Sequence, residues 1–319
     1  MGMATTALGW HLHEDKRRAR TLATLAASPF DRVRMAAFPA VSLEERVAEL
    51  AAIEVTAELV LAPPATEEHV RDVVGRLSGH ENVWWSLAAD AALFPEVGEH
   101  EWVRLAELVA EEDHGHHPLS ISAAQDSPLL WRRIFTHGSV VGASPRQAWV
   151  ATRDHWKPVH IDQSGYEGDG DEPWQSLTAE EVVDQAWDGA LRRRPVTHGE
   201  WYADDDGLTW SADGGTLRGA AVERLRLLDG IVGQTPREAV YRDRDAPMLA
   251  LDGEYYLEFC GEHRFPQREH ELPEGRYAVE VIDAWEMTVR SLGVHDGGGT
   301  VTVPLPAAEH QAIRVRRVP

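Results

Sequence analysis

The feature that most constrains the fold is an alternation along the first two thirds of the chain, where each short apolar run is followed by a segment with helical periodicity. This alternation predicts βα units and a parallel sheet. Eight such units precede residue 232, the number found in a (β/α)8 TIM barrel, which carries its functional residues at the carboxyl ends of the strands. The predicted strands are Ala4–Trp10, Arg32–Phe38, Ala57–Ala62, Val83–Ala88, Pro118–Ala123, Ser139–Ala143, Pro158–Asp162 and Pro195–Glu200.

Capping boxes mark two of the predicted helix starts. They are Ser42 with Glu45, and Thr178 with Glu181. In such a box each side chain bonds a backbone N–H group that the first helical turn leaves without a partner. Both positions are therefore predicted to begin helices.

The pattern changes after about Val232, where helical periodicity gives way to apolar alternation between Gly, Pro and Asp turns. This change predicts an antiparallel, β-sandwich-like domain. We expect a barrel domain at residues 1–234 and a C-terminal β-domain at 235–319. The predicted strands of the second domain are Met248–Asp252, Tyr255–Glu258, Tyr277–Ile282, Glu286–Ser291, Thr300–Pro304 and Gln311–Val315.

Net charge and cysteine content limit which partners the protein can bind and which cellular compartment it is expected to occupy. With 31 Lys and Arg against 53 Asp and Glu, the net charge is −22, which repels nucleic acid and anionic lipid. No apolar run approaches the roughly 20 residues that cross a bilayer. The single cysteine, Cys260, cannot form an internal disulfide and is typical of a buried thiol in a reducing compartment. The N-terminal residues lack the order of a signal peptide, so we expect a cytoplasmic protein.

Acidic residues recur where the predicted strands end. Asp90 follows the fourth strand, Asp162 and Glu167 lie at and beyond the seventh, and Glu200 ends the eighth. Two carboxylates across one barrel mouth are the minimal machinery of glycoside hydrolysis, one as general acid and the other as nucleophile or base. Each acid taken singly is better explained as a structural hydrogen-bond acceptor.

Metal and cofactor sites have weak support. The HGHHP tract, which contains His114, His116 and His117, lacks a second ligand pair at a fixed spacing. The acidic runs at 169–172 and 204–206 lack calcium-loop spacing, and neither a phosphate loop nor a serine-nucleophile elbow is recognisable. We therefore expect neither a metal nor a cofactor. The twelve tryptophans could stack on sugars, although core filling is the better interpretation of the count alone.

Several stretches resemble a bacterial family of glycoside-hydrolase-type proteins that join an apiosidase-like (β/α)8 barrel to a C-terminal β-domain of unknown function. They include NVWWSLA at 82–88, HIDQSGYEG at 160–168, VTHGEWY at 196–202 and YAVEVIDAWEMTV at 277–289. The resemblance implies the barrel and the β-domain, with a carbohydrate as ligand. Because longer relatives carry an N-terminal β-sandwich, it also implies a shortened member.

The resemblance assigns roles that this chain fulfils only in part. Where relatives place an Ala-Asn-Glu acid/base on the fourth strand, this chain has Ala88-Ala89-Asp90. Where they place an Asp-Glu-Cys nucleophile on the seventh, it has Asp162-Gln163-Ser164. An amide cannot ionise to form a glycosyl intermediate. A His-Pro after the third strand is replaced by Pro63-Pro64.

Other positions match the family and are the candidate site residues. The candidate catalytic residues are Asp90, Asp162, Gln163, Glu167 and Glu200. The candidate substrate-binding residues are Trp10, Arg34, Trp85, His137, Tyr166, His198 and Trp210.

Three functions remain open at this point. The first is a glycoside hydrolase that acts on an oligosaccharide or glycoside with altered catalytic residues, using Asp90 as acid and Glu167, Glu200 or Asp162 as base. The second is a non-catalytic carbohydrate-binding or regulatory protein that kept the barrel. The third is a purely structural role. Fold alone does not choose among them, and the sugar, the linkage and the oligomeric state stay open.

Overall fold

A computed structural model describes residues 2–40, 42–62 and 66–319. The chain divides into two compact units. The N-terminal unit comprises residues 2–178 and 194–222, and the C-terminal unit comprises 179–193 and 223–319. The domain boundary at residue 234 stays a prediction. Among the described residues, every helix is too short or too polar to cross a lipid bilayer.

The described residues form eight α-helices in the order that the βα pattern predicts. Short 3-10 turns occur at Trp10–Leu12, Ala91–Leu93, Pro128–Trp131 and Pro173–Gln175. The helices are α1 (Asp15–Ala27), α2 (Leu43–Ala52), α3 (Glu67–Leu77), α4 (Glu99–Glu112), α5 (Pro145–Thr152), α6 (Ala179–Leu191), α7 (Trp210–Asp213) and α8 (Ala221–Val232).

Helices α2 and α6 begin where the capping-box motifs predicted. The box at Ser42 is nevertheless absent, because Ser42 takes a left-handed φ of 61° and its side chain makes no capping hydrogen bond. A full box forms instead at Ser144 and Gln147, at the start of α5.

The strands of the N-terminal unit overlap the predicted ones but are shorter, except that Glu167–Gly168 was not predicted as a strand. They are β1 (Ala4–Thr6), β2 (Arg32–Ala36), β3 (Thr56–Val60), β4 (Val83–Ser86), β5 (Leu119–Ser120), β6 (Ser122–Ala123), β7 (Gly138–Val141), β8 (Val159–Asp162), β9 (Glu167–Gly168) and β10 (Glu200–Trp201).

Parallel pairing runs through all of these strands. One sheet has the order β1-β2-β3-β4-β5, a second has β6-β7-β8, and β9 pairs with β10. Single parallel bridges then join Ile161 to Val196 and His198 to Thr5, so the pairing returns to the first strand. The unit has a mixed α/β fold whose pairing order is consistent with a TIM barrel.

The C-terminal unit contains an antiparallel sheet of order β11-β12-β13-β18-β15-β16 and a second sheet formed by β14 and β17. Core side chains come from both sheets, including Tyr277 and Ile313 from the first and Leu272 and Val303 from the second. The polar strands β11 and β14 were not predicted. The strands are β11 (Val240–Arg242), β12 (Met248–Leu251), β13 (Tyr255–Phe259), β14 (Gln267–Leu272), β15 (Arg276–Asp283), β16 (Thr288–Asp296), β17 (Gly299–Pro304) and β18 (Gln311–Val318).

A buried ion network crosses the interior of the N-terminal unit. Glu58 on β3 lies 3.3 Å from Arg32 and 3.0 Å from Arg34, both on β2. Arg34 also lies 2.7 Å from Asp162 at the end of β8. The four side chains are 1–7% exposed. Since β2 and β8 are not sheet neighbours, the Arg34–Asp162 pair joins strands across the interior.

Removing one charge from this network should destabilise the fold strongly. We expect Glu58→Gln to lower the free energy of unfolding by about 3 kcal/mol, because it leaves buried arginine charge without its partner. The matched control is Glu45→Gln, whose 57% exposed carboxylate pairs with Arg18 and Arg46 and should change stability by less than about 0.5 kcal/mol. Urea unfolding followed by circular dichroism measures both. Equal effects of the two substitutions would contradict the structural role of the network.

Candidate functional site

Asp162, predicted as a catalytic base, has a buried carboxylate that is hydrogen-bonded within the N-terminal unit. Its carboxylate is 2% exposed and accepts hydrogen bonds from the hydroxyls of Thr197 at 2.7 Å, Ser122 at 3.1 Å and Ser139. Together with the ion pair to Arg34, these bonds use both carboxylate oxygens. Asp162 therefore stabilises the interior and offers no oxygen to a ligand.

Glu167 and Glu200 lie side by side as register partners in β9 and β10. Both are buried, at 1% and 0% exposure. Glu200 accepts hydrogen bonds of 2.7–3.0 Å from the backbone N–H groups of residues 218 and 219. Glu167 accepts bonds of 2.7 and 3.0 Å from those of residues 220 and 221. Four consecutive N–H groups thus hold two adjacent carboxylates, which anchor this segment.

The environment of Glu200 raises the pKa of its carboxyl group towards neutral pH. Burial raises the pKa of Glu200 from 4.5 to about 7, the N–H groups of Gly219 and Arg218 act in the opposite direction, and the nearby Glu167 carboxylate raises it further. A pKa near 7 suits a general acid. Its complete burial keeps the carboxyl group away from solvent in this conformation.

Asp90 and Gln163 differ from the other three candidate catalytic residues because both are half-buried. Asp90 follows β4 and accepts a 2.9 Å hydrogen bond from the N–H of Ala92, which caps the turn Ala91–Leu93. Gln163 follows Asp162 directly and has a φ of +53°, a left-handed conformation that costs a non-glycine residue about 1–2 kcal/mol. These two strand ends therefore present partly accessible polar side chains.

The candidate substrate-binding residues Trp10, Trp85 and Trp210 fill the core. Their exposures are 0%, 1% and 1%, so none of the rings has a free face for a sugar in this conformation, and the binding role assigned to them stays a prediction. Trp85 donates a 3.0 Å hydrogen bond from its Nε1–H to Asp113, and Trp210 donates one of 3.0 Å to Thr5. Core filling, the interpretation favoured by composition alone, applies to these three.

The remaining candidate binding residues, Arg34, His137, Tyr166 and His198, are also buried, at 1–6% exposure. Burial lowers the pKa of His137 to about 3, with Arg32 contributing, and lowers that of His198 to about 3. Burial raises the pKa of Tyr166 to about 12. The two imidazoles are therefore neutral interior groups, and the substrate-binding role of these four residues stays a prediction.

Trp174 and Trp201 lie near the strand ends but were not among the predicted site residues. Trp174 is 44% exposed and lies in the turn Pro173–Gln175. It packs edge-to-face on Trp201 and on Tyr166, with ring centroids 5.2 and 5.6 Å apart. A Cβ atom on Gly170 would approach Trp201 to 2.7 Å, so glycine is needed there. The glycine-rich run before Trp174, just beyond a strand end, was the available signal.

One histidine of the HGHHP tract pairs with a buried carboxylate. His117 lies 2.6 Å from the Asp113 carboxylate through its Nδ1 atom, and Asp113 also accepts the Trp85 hydrogen bond. Among residues 2–40, 42–62 and 66–319, no three His, Cys, Asp or Glu side chains are grouped to hold a metal ion. Cys260 is a buried free thiol, as predicted. Pro63-Pro64 lies outside the described residues.

The raised pKa of Glu200 predicts a pH-dependent contribution to stability. This contribution is fully present below pH 4.5 and is lost as the pH rises through about 7, since the folded state binds the proton more tightly. Glu200→Gln cannot titrate, so its free energy of unfolding relative to wild type should increase across that range. Urea titrations at several pH values measure this difference. The control is Glu81→Gln, at an exposed position, whose free energy of unfolding should follow that of wild type at every pH. If Glu200→Gln also follows wild type, Glu200 does not have the raised pKa.

A family model covers part of the C-terminal unit. Residues 244–316 match a domain of unknown function, DUF5605. No curated protein sequence matches the chain.

Solved structures resemble nearly the whole chain. A candidate glycoside hydrolase from Bacteroides vulgatus aligns over 99% of this chain and 78% of its own, with 24% identity and a TM-score of 0.88. A family 5 glycoside hydrolase from the same species aligns over 99% and 89%, with 12% identity and a TM-score of 0.78. A further glycoside hydrolase aligns over 99% and 92%, with 11% identity and a TM-score of 0.78. At these identities the likeness establishes the fold. The chain shares the fold of glycoside hydrolases and carries a C-terminal match to a domain of unknown function.

Proposed function

We propose that the N-terminal unit is a (β/α)8 barrel that binds carbohydrate at the carboxyl ends of its strands and has lost normal retaining hydrolysis. One observation carries the proposal. Of the five candidate catalytic residues, three carboxylates are buried and hydrogen-bonded within the protein, and the half-buried pair is Asp90 with the amide Gln163. The fold shared with glycoside hydrolases supports a sugar as the ligand class.

Hydrolysis by the usual route needs two carboxyl groups that reach the scissile bond. Asp90 supplies one partly accessible carboxylate. Asp162, Glu167 and Glu200 would each have to give up hydrogen bonds and become exposed to supply the second, and leaving buried donors without partners costs about 1–3 kcal/mol for each group. Gln163 cannot ionise at any relevant pH. Binding is therefore better supported than turnover.

The accessible side chains at the strand ends suit a sugar. Trp174 offers a ring that is 44% exposed, held in place by Tyr166 and Trp201, and aromatic rings pack against the apolar faces of pyranoses. Gln163 can both donate and accept hydrogen bonds, whereas the carboxylate of Asp90 accepts them. An aromatic face together with a few polar groups is the usual composition of a small-ligand site.

A second candidate function is a hydrolase with altered chemistry. Its support is that Asp90 keeps a half-buried carboxylate at the strand end where the family resemblance implies the general acid. Such an enzyme would use a water molecule as nucleophile, with a second carboxylate about 6.5–9.5 Å away as base.

Sugar binding should depend on Trp174. We expect Trp174→Ala to weaken the binding of a methyl glycoside about tenfold, because the stacking face is removed. The matched control is Trp156→Ala, since Trp156 is 71% exposed but follows α5 instead of a strand end. Isothermal titration calorimetry against a panel of neutral methyl glycosides measures both variants. Equal affinities of Trp174→Ala and wild type would refute the proposed platform.

Gln163→Glu tests whether hydrolysis has been lost at one position. The substitution restores an ionisable group at the position that the resemblance assigns to the nucleophile, so release of p-nitrophenol from aryl glycosides should rise at least about tenfold above wild type. Gln147→Glu, at an exposed position on α5, is the control and should show no gain.

The wild-type rate separates the two candidate functions. An inactive wild type that binds sugar supports the binding protein, whatever Gln163→Glu does. An active wild type whose rate falls in Asp90→Asn supports the altered hydrolase. An active wild type that is unaffected by Asp90→Asn would remove Asp90 as the acid.

A further inference from the structure

We propose that the C-terminal unit carries a second ligand site, a polar pocket for a small neutral polyhydroxyl compound of monosaccharide size. The pocket lies between β14 and the turn that joins β11 to β12. Its lining residues are Arg244, Asp245, Gln267, Arg268 and Glu269. All five lie in the region that matches the domain of unknown function, whereas the strand ends discussed above belong to the N-terminal unit.

Arg268 forms a rigid floor for this pocket. Its side chain is only 10% exposed, and both terminal nitrogens donate 2.7 Å hydrogen bonds to the two carboxylate oxygens of Asp245. The same guanidinium donates bonds of 2.6 and 3.3 Å to Glu258. Since Glu258 lies on β13 in the other sheet, Arg268 fixes the turn residue Asp245 relative to both sheets.

A second layer supports this floor. Glu258 is 0% exposed, and its carboxylate lies 3.4 Å from Nε2 of the buried His270. The Arg268 guanidinium also lies over the ring of Phe265, 4.5 Å from its centroid. Side chains held in this way lose little freedom when a ligand binds, which favours even small ligands. The hydrogen bonds from Arg268 also lower the pKa of Asp245 to about 2, so its carboxylate stays ionised and paired with Arg268 at neutral pH.

The charge balance of the lining favours a neutral ligand. The four charged residues of the lining balance, since Arg244 and Arg268 carry two positive charges and Asp245 and Glu269 carry two negative ones. The net charge of −22 disfavours an anion further. Neither charge sign is selected, so an acidic sugar or a phosphate is a poor match.

The donors and acceptors of the lining match hydroxyl groups. Among the exposed lining residues, Arg244 offers guanidinium N–H donors, Glu269 offers carboxylate acceptors, and Gln267 adds both a donor and an acceptor. Every lining side chain is polar or charged, which disfavours acyl or aromatic ligands. Vicinal hydroxyls satisfy this arrangement, and they occur in sugars and in other polyols.

The test uses the full chain carrying Trp174→Ala, so that any sugar bound at the strand ends is weakened. Methyl glycosides and the linear polyol sorbitol are titrated by calorimetry and by ligand-observed NMR. We expect binding to persist in this background and to weaken about tenfold on adding Gln267→Ala or Arg244→Ala, since each removes hydrogen bonds to the ligand. Arg264→Ala, which breaks an exposed ion pair with Glu309 in the same unit, is the control and should change nothing.

Two results would overturn the second site: absence of binding by any of these probes in the Trp174→Ala background, or binding that both pocket substitutions leave unchanged. Stronger binding of a glucuronide than of the neutral glycoside would overturn the ligand class. Failure of the strand-end proposal has a different signature, because Trp174→Ala would then bind with the wild-type affinity while Gln267→Ala alone weakens binding.

Discussion

The buried ion pair between Arg34 and Asp162 is the interaction on which the rest of the N-terminal unit depends. It joins β2 to β8 across the interior, and Glu58 extends it to β3. Burying charges is costly unless every one of them is paired and hydrogen-bonded. The hydroxyls of Ser122, Ser139 and Thr197 complete the shell of Asp162. The network therefore fixes the spacing of these strands in the interior. It also holds the carboxylate of Asp162 in protein hydrogen bonds, away from any ligand at the strand ends.

The same principle explains Glu167 and Glu200. Both are acids at strand ends, and both are used to hold backbone N–H groups of the segment 218–221. A carboxylate that accepts several backbone hydrogen bonds is an anchor, and moving it towards a ligand would leave its donors unsatisfied. The buried acidic residues at the strand ends thus hold neighbouring backbone in place, while the partly accessible positions are Asp90 and the amide Gln163.

The order of the elements was predictable because it depends on periodicity, which is a local property of the sequence. All eight strands predicted before residue 232 take part in the parallel pairing, and the antiparallel pairing predicted after it is also present. The strand β14 was missed because QREHEL is polar, and it forms only through its pairing with β17. The motif at Ser42 predicted a capping box, but the local φ angle prevents one.

The site was less predictable because burial and side-chain direction are tertiary properties. Trp84 and Trp85 are adjacent and therefore point to opposite faces of β4. Trp85 packs in the core and bonds Asp113, whereas Trp84 lies under the Arg32 guanidinium, 4.4 Å from it, and beside His137. A motif that contains both residues does not say which one faces the interior. The 44% exposure of Trp174 is likewise a tertiary property that its place in the sequence does not reveal.

Gln163 connects the structural network with the proposed site. It follows Asp162 directly and holds a left-handed backbone conformation, which persists only when its surroundings impose it. The bonds of Asp162 supply that constraint on one side, and Gly165, with a φ of +123° and its Cα packed against Leu177, constrains the chain just beyond. The amide is therefore presented at the strand end by the interior of the protein. A position built in this way would keep its geometry with either a carboxylate or an amide, which is why the proposed function combines sugar binding with the loss of hydrolysis.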